Sequence, residues 1–454
     1  MTSWPRARAG RKSPPLANPF PLCLAAAMPY PDESAPADPV LMVFMIVALF
    51  AGWGFIQDAI NTGRGGSIDL RNRVTGVRLA AEQQDPYFYK WKQTGNERFC
   101  DPFNAPSSPV GTTTVTPATL TVFFPLKDLP YPVSQWLWFA AQYGCLGLGL
   151  YAWCRSTPRQ HWLWGALLTC LFCLSPHWRL HMDRGQSYVL YPALFLALIA
   201  WGQKPGKYGL WLEGLAASLL TLLRPTYGIL LGVGVARRKP AALIASGTGL
   251  LLWAVLPILL AGPAIWQNYF KAMAIHARLY LDQTKFPPAK FATTGTIEGI
   301  PVETLTCFSR IPFGDTSLYR LISFQLPPAL LLGGWALLAA LSGFLMLRRN
   351  ETGTPRFWWV LSAWIVLGDY LLPAYRYPYN HILLWPLVLL GLAALTDRPR
   401  TLWIALSAAL LGLHAATWFL PKTFIPWPGV GMLLLAAGVA GASFLPPVKK
   451  NSVI

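Results

Sequence analysis

Charge is scarce in this sequence, and negative charge is the scarcer sign. Only 12% of the 454 residues are charged, with 19 Asp and Glu against 37 Lys and Arg, and the mean hydropathy is +0.39. A soluble domain of this length needs more charge to cover its surface, so the composition excludes an ordinary soluble enzyme. Because long uncharged runs recur, we predict an integral membrane protein. In a membrane protein, a net charge of +18 indicates basic cytoplasmic loops that face an anionic lipid leaflet. We therefore do not attribute the charge to a nucleic-acid partner.

The sequence also lacks a glycine-rich nucleotide loop and a zinc-finger spacing of cysteines. Without a P-loop or a dinucleotide loop, a nucleotide-linked donor is not supported. The seven cysteines lie mostly in apolar runs, where a thiol behaves as a small hydrophobic group. Cys100 and Cys307 are both predicted outside the membrane, and the sequence leaves open whether they form a disulfide bond. His177, His181 and Asp183 have a spacing that suits a metal ion, but neighbouring arginines disfavour a cation. We therefore expect no metal ion and no cofactor.

Twelve apolar segments are predicted to span the membrane, which places both termini on one side. They lie near residues 39–58, 133–154, 160–176, 187–203, 209–223, 225–236, 241–262, 320–346, 357–373, 380–396, 401–420 and 428–446. The basic clusters between them all fall on the side of the termini, which the positive-inside rule makes cytoplasmic. The predicted fold is therefore an all-α integral membrane protein.

Two tails and two long outer loops accompany these spans. Residues 1–38, rich in Pro, Ala and Arg, are predicted to be a disordered basic cytoplasmic tail, and residues 447–454 a short second one. Residues 39–446 form one membrane domain with large outer loops over residues 59–132 and 263–319. The outer loops are basic, which suits either a phosphate ligand or contact with anionic headgroups.

Residues 208–236 are short for the two crossings that this topology requires, because one crossing takes about 20 apolar residues. Two short helices broken around Arg224-Pro225 resolve the problem, and such a break is tolerated only inside protein or beside a cavity. An intramembrane arginine is a functional candidate, with an ion pair to Glu213 or snorkelling as the alternative. The segment 115–126 is also too short to span and is predicted to be re-entrant or interfacial.

Asp69 begins a predicted amphipathic helix over residues 69–82, which we expect on the outer membrane surface. Its carboxylate is either a helix N-cap or a general base that removes a proton from an attacking hydroxyl group. Asp58 competes for the role of base if the first helix extends further than predicted. Residues 177–186 are either an exposed loop or a binding site, since they hold two His and two Arg.

The order of these features resembles glycosyltransferase family 87 of the GT-C superfamily over roughly residues 39–400. The shared order is Asp69, Asp85-Pro86-Tyr87, Val115-Thr116-Pro117 to Pro125-Leu126, Gly185-Gln186, Arg224-Pro225 and a late His381. The resemblance, including that to polyprenol-phosphate-mannose alpha-mannosyltransferases, implies a GT-C fold and inverting transfer of a hexose, most often mannose. The implied donor is a polyprenyl-phosphate-linked sugar, and the implied acceptor is a lipid-linked or cell-envelope glycan.

The resemblance also implies roles for single residues. Asp69 would be the catalytic base, Arg224 and His381 would meet the donor phosphate, and Gln186 matches the family's Gly-Gln step. In this chain Arg224 stands where many members have a lysine before proline. Polar residues of the outer connectors add to this set. We predict that the donor phosphate is bound by Arg224, His381, Arg376 and Arg184. We predict that substrate is bound by Gln186, His181 and Tyr87.

Two other functions remain open from the sequence. A transporter or flippase of an anionic lipid or a lipid-linked sugar suits the twelve spans, although inverted repeats are missing. An enzyme of the O-antigen-ligase type, with a diphosphate donor, shares the topology. For the glycosyltransferase we expect a multi-pass protein of the inner (plasma) membrane, surrounded by lipids, with its active site on the outer face.

Overall fold

The structure is a computed structural model that describes most of the chain outside the tails and the second outer loop. The described residues are 39–64, 67–89, 95–100, 113–204, 206–237, 239–285, 296–297, 300–301, 326–374, 376–395, 397–416 and 426–445. Both predicted tails and Cys307 lie outside them. Of the described residues, 39–43 belong to one unit of the chain and those from 44 onward to another, and the site described below lies entirely in the second.

The described part of the chain is almost entirely helical. Its helices are α1 (Pro39–Gly63), α2 (Ile68–Ala81), α3 (Pro117–Phe123), α4 (Tyr131–Arg155), α5 (Trp162–Leu174), α6 (Pro176–Arg184), α7 (Leu190–Gly202), α8 (Lys207–Leu223), α9 (Ile229–Ala236), α10 (Pro240–Ala261), α11 (Ile265–Lys285), α12 (Pro328–Arg348), α13 (Pro355–Leu371), α14 (Trp385–Ala394), α15 (Asp397–Ala416) and α16 (Pro426–Ala442). Short 3-10 helices cover Glu97–Phe99, Phe124–Leu126, Arg159–His161, Pro225–Gly228 and Pro378–Leu384. Two short antiparallel strands, β1 (Thr296–Ile297) and β2 (Ile300–Pro301), pair Thr296 with Pro301.

Three of the described helices are long and apolar enough to cross a membrane. They are Val40–Gly63 in α1, Pro240–Ala261 and Pro328–Arg348. Five of the six shorter apolar helices of 10–17 residues, α7 among them, coincide with other predicted spans, and the sixth is Pro117–Leu126. The helical class is confirmed and the apolar helices indicate a membrane protein, while the number of twelve spans stays a prediction.

The predicted break within residues 208–236 is confirmed. α8 ends at Leu223, Arg224 has an extended backbone with φ −148° and ψ 105°, and the 3-10 helix Pro225–Gly228 leads into α9. Proline disfavours a helical conformation at the residue before it, which explains why the helix ends where it does. The segment 115–126 likewise forms a short helix, α3, which packs against α2, α8 and α10.

α2 is enclosed by protein on more sides than an amphipathic surface helix would be. Its predicted apolar face is confirmed, since Leu70, Val74 and Val77 are fully buried. Two arginines of α2 are enclosed as well, which is unusual for a helix lying on a membrane surface. Arg73 and Arg78 are both buried and donate to backbone carbonyl groups of neighbouring segments. The helix therefore belongs to the folded core, in a small apolar cluster shared with α3, α4 and α11.

Residues 177–186 form a helix and its C-terminal cap, so the alternative of an exposed loop is wrong. Ser175 caps α6 by accepting the N–H of Trp178, and Pro176 occupies the first turn. Gly185 ends the helix with a φ of 62°, the left-handed conformation that glycine adopts most easily. Ser-Pro at the start and Gly at the end are helix signals that were present in the sequence. α6 packs against both α2 and the 3-10 helix Pro378–Leu384.

Gly185→Ala should lower the free energy of unfolding by about 2 kcal/mol or more, through backbone strain and overpacking together. A Cβ atom at Gly185 would lie 2.8 Å from Cβ of Ser67 and 2.9 Å from Cβ of Leu70. Thermal unfolding of the purified protein in detergent measures the loss. Gly147→Ala is the matched control, because no atom lies within 4 Å of its Cβ position and Gly147 is inside α4. Equal unfolding temperatures for the two variants would contradict the tight contact of Gly185 with α2.

Candidate active site

Asp69 lies in the first turn of α2, opposite the turn between α6 and α7. Its Oδ2 accepts hydrogen bonds from Nε2 of Gln186 at 2.6 Å and from Nη1 of Arg184 at 3.3 Å. Ser67 occupies the N-cap position, so the alternative role of Asp69 as helix cap is wrong. The Asp69 side chain keeps 20% exposure, and its Oδ1 accepts no hydrogen bond from the residues that the structure describes. One carboxylate oxygen is therefore held in place and the other is available to a substrate.

The Gly185-Gln186 turn is fastened to the helices on both sides of it. Arg73 of α2 donates from Nη1 to the carbonyl oxygen of Gly185 at 3.2 Å and from Nη2 to Oε1 of Gln186. Trp138 of α4 donates its indole N–H to the carbonyl oxygens of Gly185 at 3.1 Å and Gln186 at 3.3 Å. The predicted site residue Gln186 is thus in direct contact with the predicted base, and both its side chain and its backbone are fixed.

Arg184 connects Asp69 to a row of tyrosines. Burial lowers the pKa of Arg184, but the Asp69 carboxylate together with Tyr379 and Tyr377 outweighs burial, so that the pKa is raised. The guanidinium carbon lies 5.7 Å from the centre of the Tyr377 ring. Tyr377 stacks on Tyr379 at 5.3 Å, and Tyr379 in turn lies 5.4 Å from Tyr188. This row of rings leads from Asp69 to a second charged cluster.

The second charged cluster consists of Arg224, Asp369 and Arg376. Nε and Nη2 of Arg224 donate to the two carboxylate oxygens of Asp369 at 2.7 and 2.6 Å. Nε of Arg376 donates to the carbonyl oxygen of Asp369 at 2.9 Å and lies 3.1 Å from its Oδ2. The guanidinium of Arg224 lies over the rings of Tyr188, at 4.7 Å, and Tyr191, at 5.7 Å. Because two guanidinium groups share one carboxylate, the cluster carries one net positive charge.

Sequence reasoning missed the partner of Arg224. The alternative ion pair to Glu213 is wrong, because Glu213 pairs with Arg237 and Lys239 instead. Asp369 is the only carboxylate within the predicted span 357–373. An ionisable residue inside a membrane segment is a functional candidate by default, so this was the signal that would have found Asp369.

His381 is buried against α6. Its Nδ1 lies 3.4 Å from Nε2 of His177. The Tyr370 ring stacks on the His381 ring, with 5.6 Å between the ring centres. The predicted contact of His381 with a donor phosphate stays a prediction. Within the described residues no group of three side chains could hold a metal ion, so the metal site considered for His177, His181 and Asp183 has no geometric support.

Two residues predicted to bind substrate are enclosed in the fold. His181 is fully buried, and its Nε2 accepts the backbone N–H of Val189 at 3.3 Å. Burial, and then the charge of Arg73, lower the pKa of His181 well below its usual value, so the ring is neutral at pH 7. Tyr87 is 1% exposed, and its hydroxyl group donates to the carbonyl oxygen of Val115 at 2.9 Å. Both side chains connect neighbouring segments, and neither enters the mechanism proposed below.

Asp58, the competitor of Asp69, lies inside α1, because that helix extends to Gly63. The side chain is buried, and both carboxylate oxygens are engaged. Oδ2 accepts from the Tyr143 hydroxyl group at 2.8 Å, and Oδ1 from Nη1 of Arg179 at 3.4 Å. Asp58 therefore joins α1 to α4 and α6, while Asp69 offers an uncommitted oxygen. The geometry favours Asp69 as the residue that reaches a substrate.

Comparison with known protein families gives a match to part of the chain. Residues 114–303 match the model of glycosyltransferase family 87, which indicates a glycosyltransferase and confirms the resemblance over this stretch. The matched residues include Gly185, Gln186 and Arg224, whereas Asp69 and Asp369 lie outside them. Similarity to mannosyltransferases in particular stays a prediction. No curated protein and no solved structure gives a match.

Proposed function

We propose that this protein is an inverting glycosyltransferase that moves a hexose, with mannose preferred, from a polyprenyl-phosphate donor to a lipid-linked or cell-envelope glycan. One observation carries the proposal. The Asp69 carboxylate is held through Oδ2 by Gln186 and Arg184, while Oδ1 accepts no hydrogen bond from the described part of the chain. The match to glycosyltransferase family 87 supports the reaction class.

In the proposed reaction Asp69 is the general base. Its Oδ1 takes the proton of an acceptor hydroxyl group as the hydroxyl oxygen attacks the anomeric carbon of the donor sugar. A new carbon–oxygen bond forms on the face opposite the phosphate, and the bond between the anomeric carbon and the phosphate oxygen breaks. The polyprenyl phosphate leaves with the bonding electrons, and the configuration at the anomeric carbon is inverted. General-base catalysis of this kind contributes about 10²- to 10⁴-fold to the rate.

The cluster of Arg224, Asp369 and Arg376 is suited to the leaving phosphate. Negative charge grows on that phosphate as the bond breaks, and fixed positive charge in a site shielded from water stabilises it strongly. Asp369 uses Nε and Nη2 of Arg224, which leaves Nη1 to donate to a phosphate oxygen. Arg184, next to Asp69, supplies a further guanidinium on the side of the attacking hydroxyl group.

A lipid-linked donor requires access from the bilayer. Three helices of spanning length and composition support a membrane location. We propose the inner (plasma) membrane, with the site on the outer face, because the basic clusters predicted between the spans assign the opposite side to the cytoplasm.

The test is an incubation of purified protein with polyprenyl-phosphate mannose and a lipid-linked glycan acceptor. We expect sugar transfer with inversion, in the presence of EDTA as in its absence, detected by mass spectrometry and by NMR of the new glycosidic bond. Transfer only from a diphosphate donor would favour the ligase-type enzyme. Movement of labelled lipid across vesicles without any transfer would favour the flippase.

A further inference from the structure

We propose that Gln186 is a positioning residue, which holds the Asp69 carboxylate with Oδ1 directed to the acceptor hydroxyl group and does not itself bind substrate. This inference rests on the proposed function, since it concerns how the base of that reaction is held. It replaces the direct contact with substrate that the sequence predicts for Gln186.

Opposite charges on its two sides fix the orientation of the Gln186 amide. Nε2 donates to Oδ2 of Asp69 at 2.6 Å, and Oε1 accepts from Nη2 of Arg73. A reversed amide would place its carbonyl oxygen against the carboxylate and its NH2 group against the guanidinium, and both contacts are repulsive. Gln186 is 3% exposed, so water has little access to either bond. The amide therefore has one stable orientation, and that orientation directs Asp69.

The partners of the Gln186 amide are themselves held. Arg73 also donates to the Gly185 carbonyl oxygen, and its guanidinium carbon lies 5.6 Å from the centre of the Phe123 ring. The indole N–H of Trp138 binds the backbone of the turn from the side of α4. Both partners of the amide thus belong to α2, while α3 contacts Arg73 through Phe123 and α4 holds the backbone of the turn through Trp138, a support of the kind that precise placement of a catalytic group requires.

The amide also separates two charges. With Gln186 between them, Asp69 faces the guanidinium of Arg184 at 3.3 Å, and Arg73 is kept at the far end of the amide. A second adjacent guanidinium would make the carboxylate a weaker proton acceptor. The neutral amide therefore fixes the direction of the carboxylate with a smaller effect on its basicity than an ion pair would have.

Gln186→Glu should lower kcat about 100-fold, the scale of a misplaced general base, with KM of donor and acceptor unchanged. The new carboxylate repels that of Asp69, so Asp69 keeps its proton to higher pH. The acidic limb of the pH–rate profile should therefore move to higher pH. Gln186→Ala should lower kcat, again without a change in KM. A raised KM with an unchanged profile would instead make Gln186 a substrate ligand and overturn the proposal.

Gln135→Ala is the matched control, a truncation of another buried glutamine close to α1. Its Nε2 donates to the carbonyl oxygen of Thr62 at 2.6 Å. Because this residue is not part of the site, we expect its kcat and its pH profile to match those of the wild type. A shift of the profile in Gln135→Ala equal to that in Gln186→Glu would show a general effect of core damage and overturn the specific role.

A second readout needs no transfer activity. Carbodiimide reacts with protonated carboxyl groups, so the pH dependence of its reaction with Asp69, followed by peptide mass spectrometry, reports the protonation of that residue. Gln186→Glu should move the midpoint of labelling to higher pH. An unmoved midpoint would overturn the inference even if the wild type transfers sugar. If the midpoint moves but the wild-type protein transfers no sugar, the contact between Gln186 and Asp69 is supported and the proposed function is wrong.

Discussion

Asp69→Asn should abolish sugar transfer, with kcat lowered on the order of 10³-fold, the scale of lost general-base catalysis. Asparagine has the same shape, and its carbonyl oxygen still accepts hydrogen bonds from Gln186 and Arg184. Its neutral amide does not take a proton from an attacking hydroxyl group. Turnover at saturating donor measures the loss, and thermal unfolding in detergent establishes that the variant folds.

Asp58→Asn is the matched control, because it makes the same change at the other acidic candidate. We expect most of the transfer activity to remain. Stability should fall, since Arg179 loses a buried carboxylate that lies 3.4 Å from its Nη1. If Asp69→Asn keeps full activity while Asp58→Asn loses it, the base is Asp58 and the assignment of Asp69 is wrong.

Asp369→Asn should be the most destabilising single substitution at the site, at about 3–5 kcal/mol, the usual cost of breaking a buried ion pair. The substitution leaves the guanidinium groups of Arg224 and Arg376 buried without their shared counter-charge. Unfolding in mixed micelles of increasing SDS fraction measures the change. Adding Arg224→Met to Asp369→Asn should recover part of the loss, because it removes one of the uncompensated charges.

Asp128→Asn supplies the comparison on the surface. Its side chain is 62% exposed and lies 2.9 Å from Nη2 of Arg98. Solvent and salt screen an exposed pair of this kind, so we expect little change in stability. If the two variants unfold at the same SDS fraction, the Asp369 cluster does not contribute to stability as its geometry indicates.

Local chemistry determined the part of this structure that could be predicted from the sequence. Apolar runs located helices, and the stereochemistry of Pro225 located the break after α8. Asp69, Arg184 and Gln186 were each predicted as site residues on separate grounds, and the fold brings the three into contact. Asp69 and Gln186 are 117 residues apart along the chain, so no local sequence pattern predicts their hydrogen bond.

What could not be predicted depends on tertiary partners. Arg224 was singled out as a buried charge, but its bond to Asp369 links segments that are 145 residues apart. His181 and Tyr87 looked like ligand residues because they are polar residues in outer connectors. In the structure Nε2 of His181 and the hydroxyl group of Tyr87 each form a hydrogen bond with a backbone group of a neighbouring segment. A single sequence gives the residue type, and only the packing gives the partner.

The net positive charge of the Arg224 cluster has a limited reach. In the surrounding solution mobile ions screen its field over a Debye length of about 8 Å at physiological ionic strength, whereas inside the protein, where few ions enter, the screening is much weaker. The side chains of Arg224 and Asp369 are only 11% and 1% exposed. The cluster therefore contributes little to long-range steering of a donor and acts at nearly full strength once the phosphate has entered. A lipid-anchored donor, already confined to the plane of the bilayer, needs only the second of these effects.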